Sequence, residues 1–197
     1  MKKQIIAAAV LMALGTGAAM AQAVKDPWMV RVRAVNLDMA NKDGTGLGLS
    51  VNNKLIPEVD VSYFFSKNWA AELVLTIPQK QDVRLNGTKI GTFKHLPPTL
   101  LGQYHWDLGS FKPYVGAGVN YTFISSVNIL GGAATLDKHS TGLAYQVGVD
   151  VPMGNGMYFN FDVKKVQIRS DVHVGGANAG TLKLDPLLVG VGVGWRF

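Results

Sequence analysis

The chain has 197 residues, a formal net charge of +6, 23 glycines and no cysteine. The lack of cysteine excludes disulfides, thiolate nucleophiles and cysteine metal sites, and charges of both signs scattered along the chain lack the concentrated basic face that nucleic acid requires. Four histidines with no HExxH spacing and no calcium loop give no metal motif, and no cofactor is implied.

Residues 1–21 read as an export signal. Lys2 and Lys3 form a charged start, residues 5–14 a short apolar run, and Ala19, Met20 and Ala21 a small-residue cleavage site. The apolar run is only about ten residues, well below the ~20 of a spanning helix. Cleavage after Ala21 is expected to leave Gln22 as the N-terminus and a single domain over 22–197, and losing Lys2 and Lys3 takes the formal charge from +6 to +4.

The rest of the chain shows little helical period. Apolar side chains instead recur at every second position in eight stretches, 28–37, 56–65, 69–77, 95–106, 112–123, 139–151, 157–169 and 183–197. The connections alternate between long (38–55, 78–94, 124–138, 170–182) and short (66–68, 107–111, 152–156). Outer-membrane barrels have this alternation, with short periplasmic turns, long extracellular loops and an even strand number. The pattern predicts an all-β fold, an eight-stranded antiparallel transmembrane β-barrel in the outer membrane of a Gram-negative cell, with both termini periplasmic.

One parity of each stretch is free of charge. It includes Trp28, Val30 and Val32; Val59, Val61 and Tyr63; Leu73 and Leu75; Val115, Val119 and Tyr121; Val147; Phe159 and Phe161; and Val189, Val191, Val193, Trp195 and Phe197. A Lys or Arg facing lipid at the bilayer midplane costs roughly 2–4 kcal/mol, so the exclusion marks the face turned to outer-membrane lipids. Aromatics gather at the expected periplasmic ends, where a girdle meets the interface.

The opposite parity points inward, and its chemistry changes with depth. Toward the periplasm, Arg31, Arg33, Lys164 and Arg196 stand against Glu58, Asp60, Glu72, Asp150 and Asp162. An eight-stranded lumen is barely wider than its own side chains, and charges persist there only when paired. They read as a structural plug, with a proton or ion relay as the alternative. Toward the outside, Val35, Leu37, Ile56 and Val74, with Leu101, Val166, Ile168 and Leu188, would line an apolar well. An apolar solute entering it could not cross the plug and would have to leave sideways. Pro97 and Pro98 mark a possible lateral opening, because proline cannot donate to the ladder; their other reading is that they merely end a strand near a loop. Pro57 and Pro186 are weaker candidates of the same kind.

Four blocks carry a family resemblance: HLPPTLLGQYHW from His95, FKPYVGAGVNYTFI from Phe111, GLAYQVGVDVP from Gly142 and KLDPLLVGVGVGWRF from Lys183. With the strand count they make the chain similar to the outer membrane protein W (OmpW) family. The resemblance implies an eight-stranded barrel with a narrow apolar channel, proposed to pass small hydrophobic molecules. The C-terminal strand, with Trp195 and Phe197 on one parity, resembles the signal read by the barrel-assembly machinery.

Two rival functions follow from the residues. A closed structural or surface-receptor barrel would use its loops to contact phage, bacteriocin or host molecules. A lipid-acting enzyme would need Ser and His near the outer rim. His139 and Ser140 are adjacent, so their side chains are expected on opposite faces of a strand, and His173 with Asp171 lies in another long connection. No enzyme activity is expected.

Overall fold

The computed structural model describes residues 24–197; the expected export signal and its cleavage site lie outside the described residues. In chain order the strands are β1 (Trp28–Asp38), β2 (Lys42–Asp43), β3 (Leu49–Val51), β4 (Lys54–Phe64), β5 (Trp69–Thr76), β6 (Gln79–Leu85), β7 (Thr88–Leu96) and β8 (Thr99–His105). They continue as β9 (Lys112–Ile129), β10 (Ala134–Leu136), β11 (His139–Gly154), β12 (Met157–Val166), β13 (Arg169–Val174), β14 (Ala177–Lys183) and β15 (Leu187–Arg196).

Eight of these strands close a ring in which every pair is antiparallel. The order is β1, β4, β5, β8, β9, β11, β12, β15 and back to β1. They are the eight stretches picked out by alternation, and closure leaves no edge strand in the ring. The start of β1 and the C-terminal residue meet at one end of the cylinder, where the Trp28 and Phe197 amides each donate to the other's carbonyl at 2.9 Å. The side-chain parity is also as expected. Trp28, Val32, Leu73, Val147 and Val191 are 41–54% exposed on the outer wall, whereas Arg31 and Glu72 are fully buried inside. Aromatic pairs ring the wall at two levels, Trp28–Tyr63 at 4.8 Å and Trp69–Tyr104 at 4.9 Å near the termini, and Tyr121–Phe123 at 4.9 Å near the other end.

The long connections differ from the expected loops. They carry β2, β3, β6, β7, β10, β13 and β14, which form a second tier continuing the cylinder outward. β9 runs through both tiers, pairing β8 and β11 below and β7 and β10 above. The tier goes on through β10–β13, β13–β14 and β14–β2 on one side and β7–β6 and β6–β3 on the other. The Asn41 side chain bridges β2 to β3, accepting from Val51 N at 2.7 Å and donating to Val51 O at 3.0 Å. Two hairpin turns make the tier possible. Asn86-Gly87 and Gly175-Gly176 all have positive φ, the combination that twists tightly with flanking strands.

Inside the lower tier, room for large side chains comes from glycine. A Cβ at Gly192 would overlap the Val32 carbonyl and the Arg33 side chain, and one at Gly148 would overlap the Tyr114 ring. The glycines of KLDPLLVGVGVGWRF therefore thin the wall where the arginine stems cross.

Candidate functional site

The lumen divides into layers along the barrel axis. At the end where Trp28 and Phe197 meet lies a vestibule of about 200 Å³ with a mixed lining, in which Lys67, His105, Asp107, Lys112 and Arg196 stand beside Phe64 and Tyr158.

Above it sits the plug. β1 supplies Arg31 and Arg33 at alternate positions, and the registers Arg31–Asp60 and Arg33–Glu58 bring β4 carboxylates beside them. Arg31 reaches Asp150 through Nε at 3.1 Å and Nη2 at 2.7 Å, and its Nη1 lies 3.1 Å from both Asp60 and Glu72. Arg33 approaches Asp60 at 2.5 Å and Glu58 at 3.1 Å, while Lys164 donates to Glu58 and Asp162 at 2.7 Å each. Every one of these side chains is at most 3% exposed. In low dielectric the pairs are strong, and removing one member strands its partner.

Neutral side chains complete the network. Tyr114 donates to Asp162 at 2.9 Å, Gln146 to Glu72 and Asp162 at 3.0 and 2.7 Å, Gln103 to Glu72 at 2.7 Å, and Asn160 to Asp150 at 2.8 Å. Tyr114 was not anticipated, although the parity of Val115 on the lipid face places its neighbour inward. Arg196 is a correction. Instead of joining the plug it lies at the rim, half-buried, with its guanidinium 4.0 Å above the Phe64 ring and Nε donating to Asp26 O at 2.9 Å. It sits too near the strand end to reach the inward carboxylates.

Beyond the plug the lumen turns apolar. Val35, Leu37, Ile56, Val74, Leu101, Val166, Ile168 and Leu188 are all buried in one cluster that continues into the outer tier. The space among them is small. A cavity floored by Glu58 and Lys164 and flanked by Pro97 and Pro186 offers only about 20 Å³ to the centre of a water molecule, room for about one water. At the far end, an entirely apolar cup of about 90 Å³ is walled by residues such as Leu49, Val83, Ile129 and Val172. Between cup and inner cavity stand Phe93, Gln81 and His95, each at most 1% exposed. Gln81 and Phe93 lie on β6 and β7 within residues 78–94, expected to be a loop and so left out of the lumen, whereas His95 opens the stretch 95–106 but is not among the inward residues expected there.

The wall has one weak stretch. Pairing of β5 with β8 ends at Val74–Thr99 and resumes, as β6 with β7, at Gln79–His95. Pairing of β4 with β5 ends at Glu58–Thr76 and resumes, as β3 with β6, at Val51–Val83. Residues 77–78 are therefore outside the ladder register on both edges. Pro97 and Pro98 face the segment on one side and Pro57 on the other, and Pro78 lies within it. Side chains bridge the second edge, Thr76 Oγ1 to Pro57 O at 2.7 Å and Lys54 Nζ to Lys80 O at 3.2 Å. Pro98 stays tied to β9, its carbonyl accepting from Tyr121 N at 3.0 Å. Pro186 interrupts nothing comparable, since Val166 N donates to its carbonyl at 3.2 Å.

The paired His and Ser of the outer rim are separated as the strand geometry requires. His139 is exposed and packs 5.6 Å from the Tyr121 and Phe123 rings, whereas Ser140 is buried and accepts from Arg169 N at 2.9 Å. His173 lies 3.8 Å from Asp137, while Asp171 accepts from Thr181 Oγ1 at 2.5 Å.

Residues 21–197 match the OmpW family profile. Outer membrane protein W of Escherichia coli is 33% identical over 215 aligned positions, covering all of both chains. The dibenzothiophene metabolism operon protein PahQ of Pseudomonas aeruginosa is 28% identical over 193, covering 89% of this chain and 90% of the relative. Among solved structures, the outer membrane protein OprG from Pseudomonas aeruginosa superposes with a TM-score of 0.77 at 25% identity, covering 90% of this chain and 99% of that one.

Proposed function

Since the chain belongs to the OmpW family of outer-membrane barrels, we propose that it takes up small apolar molecules through the outer cup and releases them sideways into the membrane above the plug. The observation that carries this reading is the layering of the lumen. An apolar cup and throat lead inward and end on Glu58 and Lys164, whose ion pair is 2.7 Å long and nearly fully buried. A solute without hydrogen-bonding groups cannot replace that pair, so the axial route costs several kcal/mol of stranded charge. The sideways route at residues 77–78 breaks no backbone pairing on either edge. The name of the PahQ relative ties that protein to dibenzothiophene metabolism, and dibenzothiophene is a fused aromatic of the kind the cup would suit.

The same reading gives the plug a structural role and makes the inner cavity a space that widens by side-chain rotation as the solute arrives. Trp195 and Phe197, 40% and 61% exposed on the last strand, are the positions offered to the barrel-assembly machinery during insertion.

The small inner cavity favours one other reading, a closed barrel whose rigid outer tier serves as a surface receptor. The two separate in asymmetric bilayers with lipopolysaccharide in the outer leaflet, which slows unaided entry of apolar solutes. Uptake of naphthalene should rise several-fold with the barrel present and uptake of a sugar should not. Equal naphthalene uptake with and without protein would support the closed barrel.

A further inference from the structure

We propose that Gln81 and His95 form a polar selection ring in the apolar throat, which favours apolar solutes carrying one hydroxyl or carbonyl over plain hydrocarbons. The inference rests on the transport reading and narrows its substrate class.

Four polar atoms carry it. Gln81 Nε2 and Oε1 and His95 Nδ1 and Nε2 are buried without a hydrogen-bond partner among the described residues. Buried polar side chains are almost always paired, and unpaired ones call for an explanation. Gln79, two residues before Gln81 on the same inward face, shows the ordinary outcome, its Nε2 donating to Ile77 O at 2.9 Å.

The register puts the unpaired groups together. Gln79 lies opposite His95 and Gln81 opposite Phe93, so Gln81 and His95 are diagonal neighbours on one face, within reach of a single small group placed between them. Their position is the constriction. Val83, two residues outward of Gln81, lines the outer cup, and His95 lines the inner cavity. Any molecule passing from one to the other crosses this layer. The Phe93 ring, 5.9 Å from the imidazole, gives the same layer an apolar face for the body of the solute.

The chemistry then follows. A hydroxyl can donate to the Gln81 carbonyl oxygen or the bare imidazole nitrogen while accepting from the Gln81 amide or the imidazole N–H. A carbonyl accepts from either donor. A hydrocarbon satisfies none of these atoms, and sites built for hydrogen bonding discriminate strongly against analogues that lack the group. A charged solute is disfavoured, because Gln81, His95 and Phe93 offer it no counter-ion within the layer and the Glu58 and Lys164 charges below are already paired with each other.

The test compares 2-naphthol with naphthalene in the same asymmetric bilayers, using the intact barrel, after subtraction of barrel-free uptake. The expected result is a preference for 2-naphthol of about tenfold, which falls to near unity in Gln81→Leu/His95→Phe while naphthalene uptake is kept or raised. Heat-modified migration in gels confirms that the variant is folded. A preference that survives the double substitution, or no preference in the native barrel, overturns the ring while leaving transport intact. If neither solute shows barrel-dependent uptake, the transport reading fails, and titration of the His95 imidazole ¹⁵N resonances decides the site alone. Shifts with 2-naphthol and none with naphthalene keep the site; no shift with either overturns it.

Discussion

Arg31 and Asp150 are 119 residues apart in sequence and clasp each other inside the lumen, with guanidinium Nε and Nη2 at 3.1 and 2.7 Å from the two carboxylate oxygens. This bidentate pair joins β1 to β11, strands that are not neighbours in the wall, so it braces the cylinder from within. Truncating Asp150 to Ala leaves Arg31 buried with one partner fewer. Unfolding of the folded barrel in urea should show a loss of about 3–5 kcal/mol; a loss below about 1 kcal/mol would mean that the plug does not brace the wall.

Gly148 and Tyr114 are matched in shape, since a Cβ at residue 148 would meet the phenol ring. Gly148→Ala should therefore destabilise by about 1–3 kcal/mol, as overpacking does. In a Tyr114→Ala background the loss should shrink without vanishing, because the Phe161 carbonyl oxygen still lies 2.8 Å from that Cβ. The double-mutant cycle reads the coupling directly, and additive losses would place the strain elsewhere.

Much of this was legible in the sequence, for one reason. In a barrel every wall residue faces either lipid or lumen, so strict alternation of Val147 and Gln146, or Val32 and Arg31, assigns a face without any knowledge of partners. The charges of the plug followed from the same parity, as did the place of the apolar throat. Arg196 escaped because parity says nothing about depth, and the rim allowed it to turn onto Phe64. The outer tier escaped for a different reason. Asn86-Gly87 and Gly175-Gly176 are tight-turn signals, but their flanking strands are short and polar, so they read as loop. With them went Gln81 and Phe93, whose partners across the lumen no local pattern could supply.

The lipid face makes a second kind of prediction. Val147 is 54% exposed on the outer wall, paired with Val115 and Val163. Val147→Lys should reduce barrel stability in bilayers by roughly 2–4 kcal/mol. In a soluble sandwich the same exposed position would tolerate lysine within about 0.5 kcal/mol, so the size of the loss distinguishes lipid from water at this surface.

Outside the membrane, Asp43 organises the first outer turn, accepting from Thr45 N and Oγ1 at 2.8 and 2.6 Å and from Gly48 N and Leu49 N at 2.7 and 3.0 Å. Burial works against its charge, but these bonds prevail and hold the carboxyl below its ordinary range. A depressed carboxylate contributes its stability in full above the unfolded pKa of about 3.9 and loses it as pH falls through the lower folded value. Amide exchange at Gly48 and Leu49 should thus stay protected at neutral pH and lose protection in acid beyond the intrinsic pH effect. Asp43→Asn should remove that pH dependence; an unchanged profile would show that another group sets it.

The sideways exit is the central claim, and closing it is the most direct measurement. Positions 77 and 96 face each other across the gap between the Val74–Thr99 and Gln79–His95 pairs, so Ile77→Cys/Leu96→Cys is the disulfide pair that would staple the open edge in a chain with no other cysteine. Naphthalene uptake through the oxidised variant should fall to the barrel-free level and return on reduction, with the barrel folded throughout. Uptake that is the same in the oxidised and reduced states would contradict lateral release.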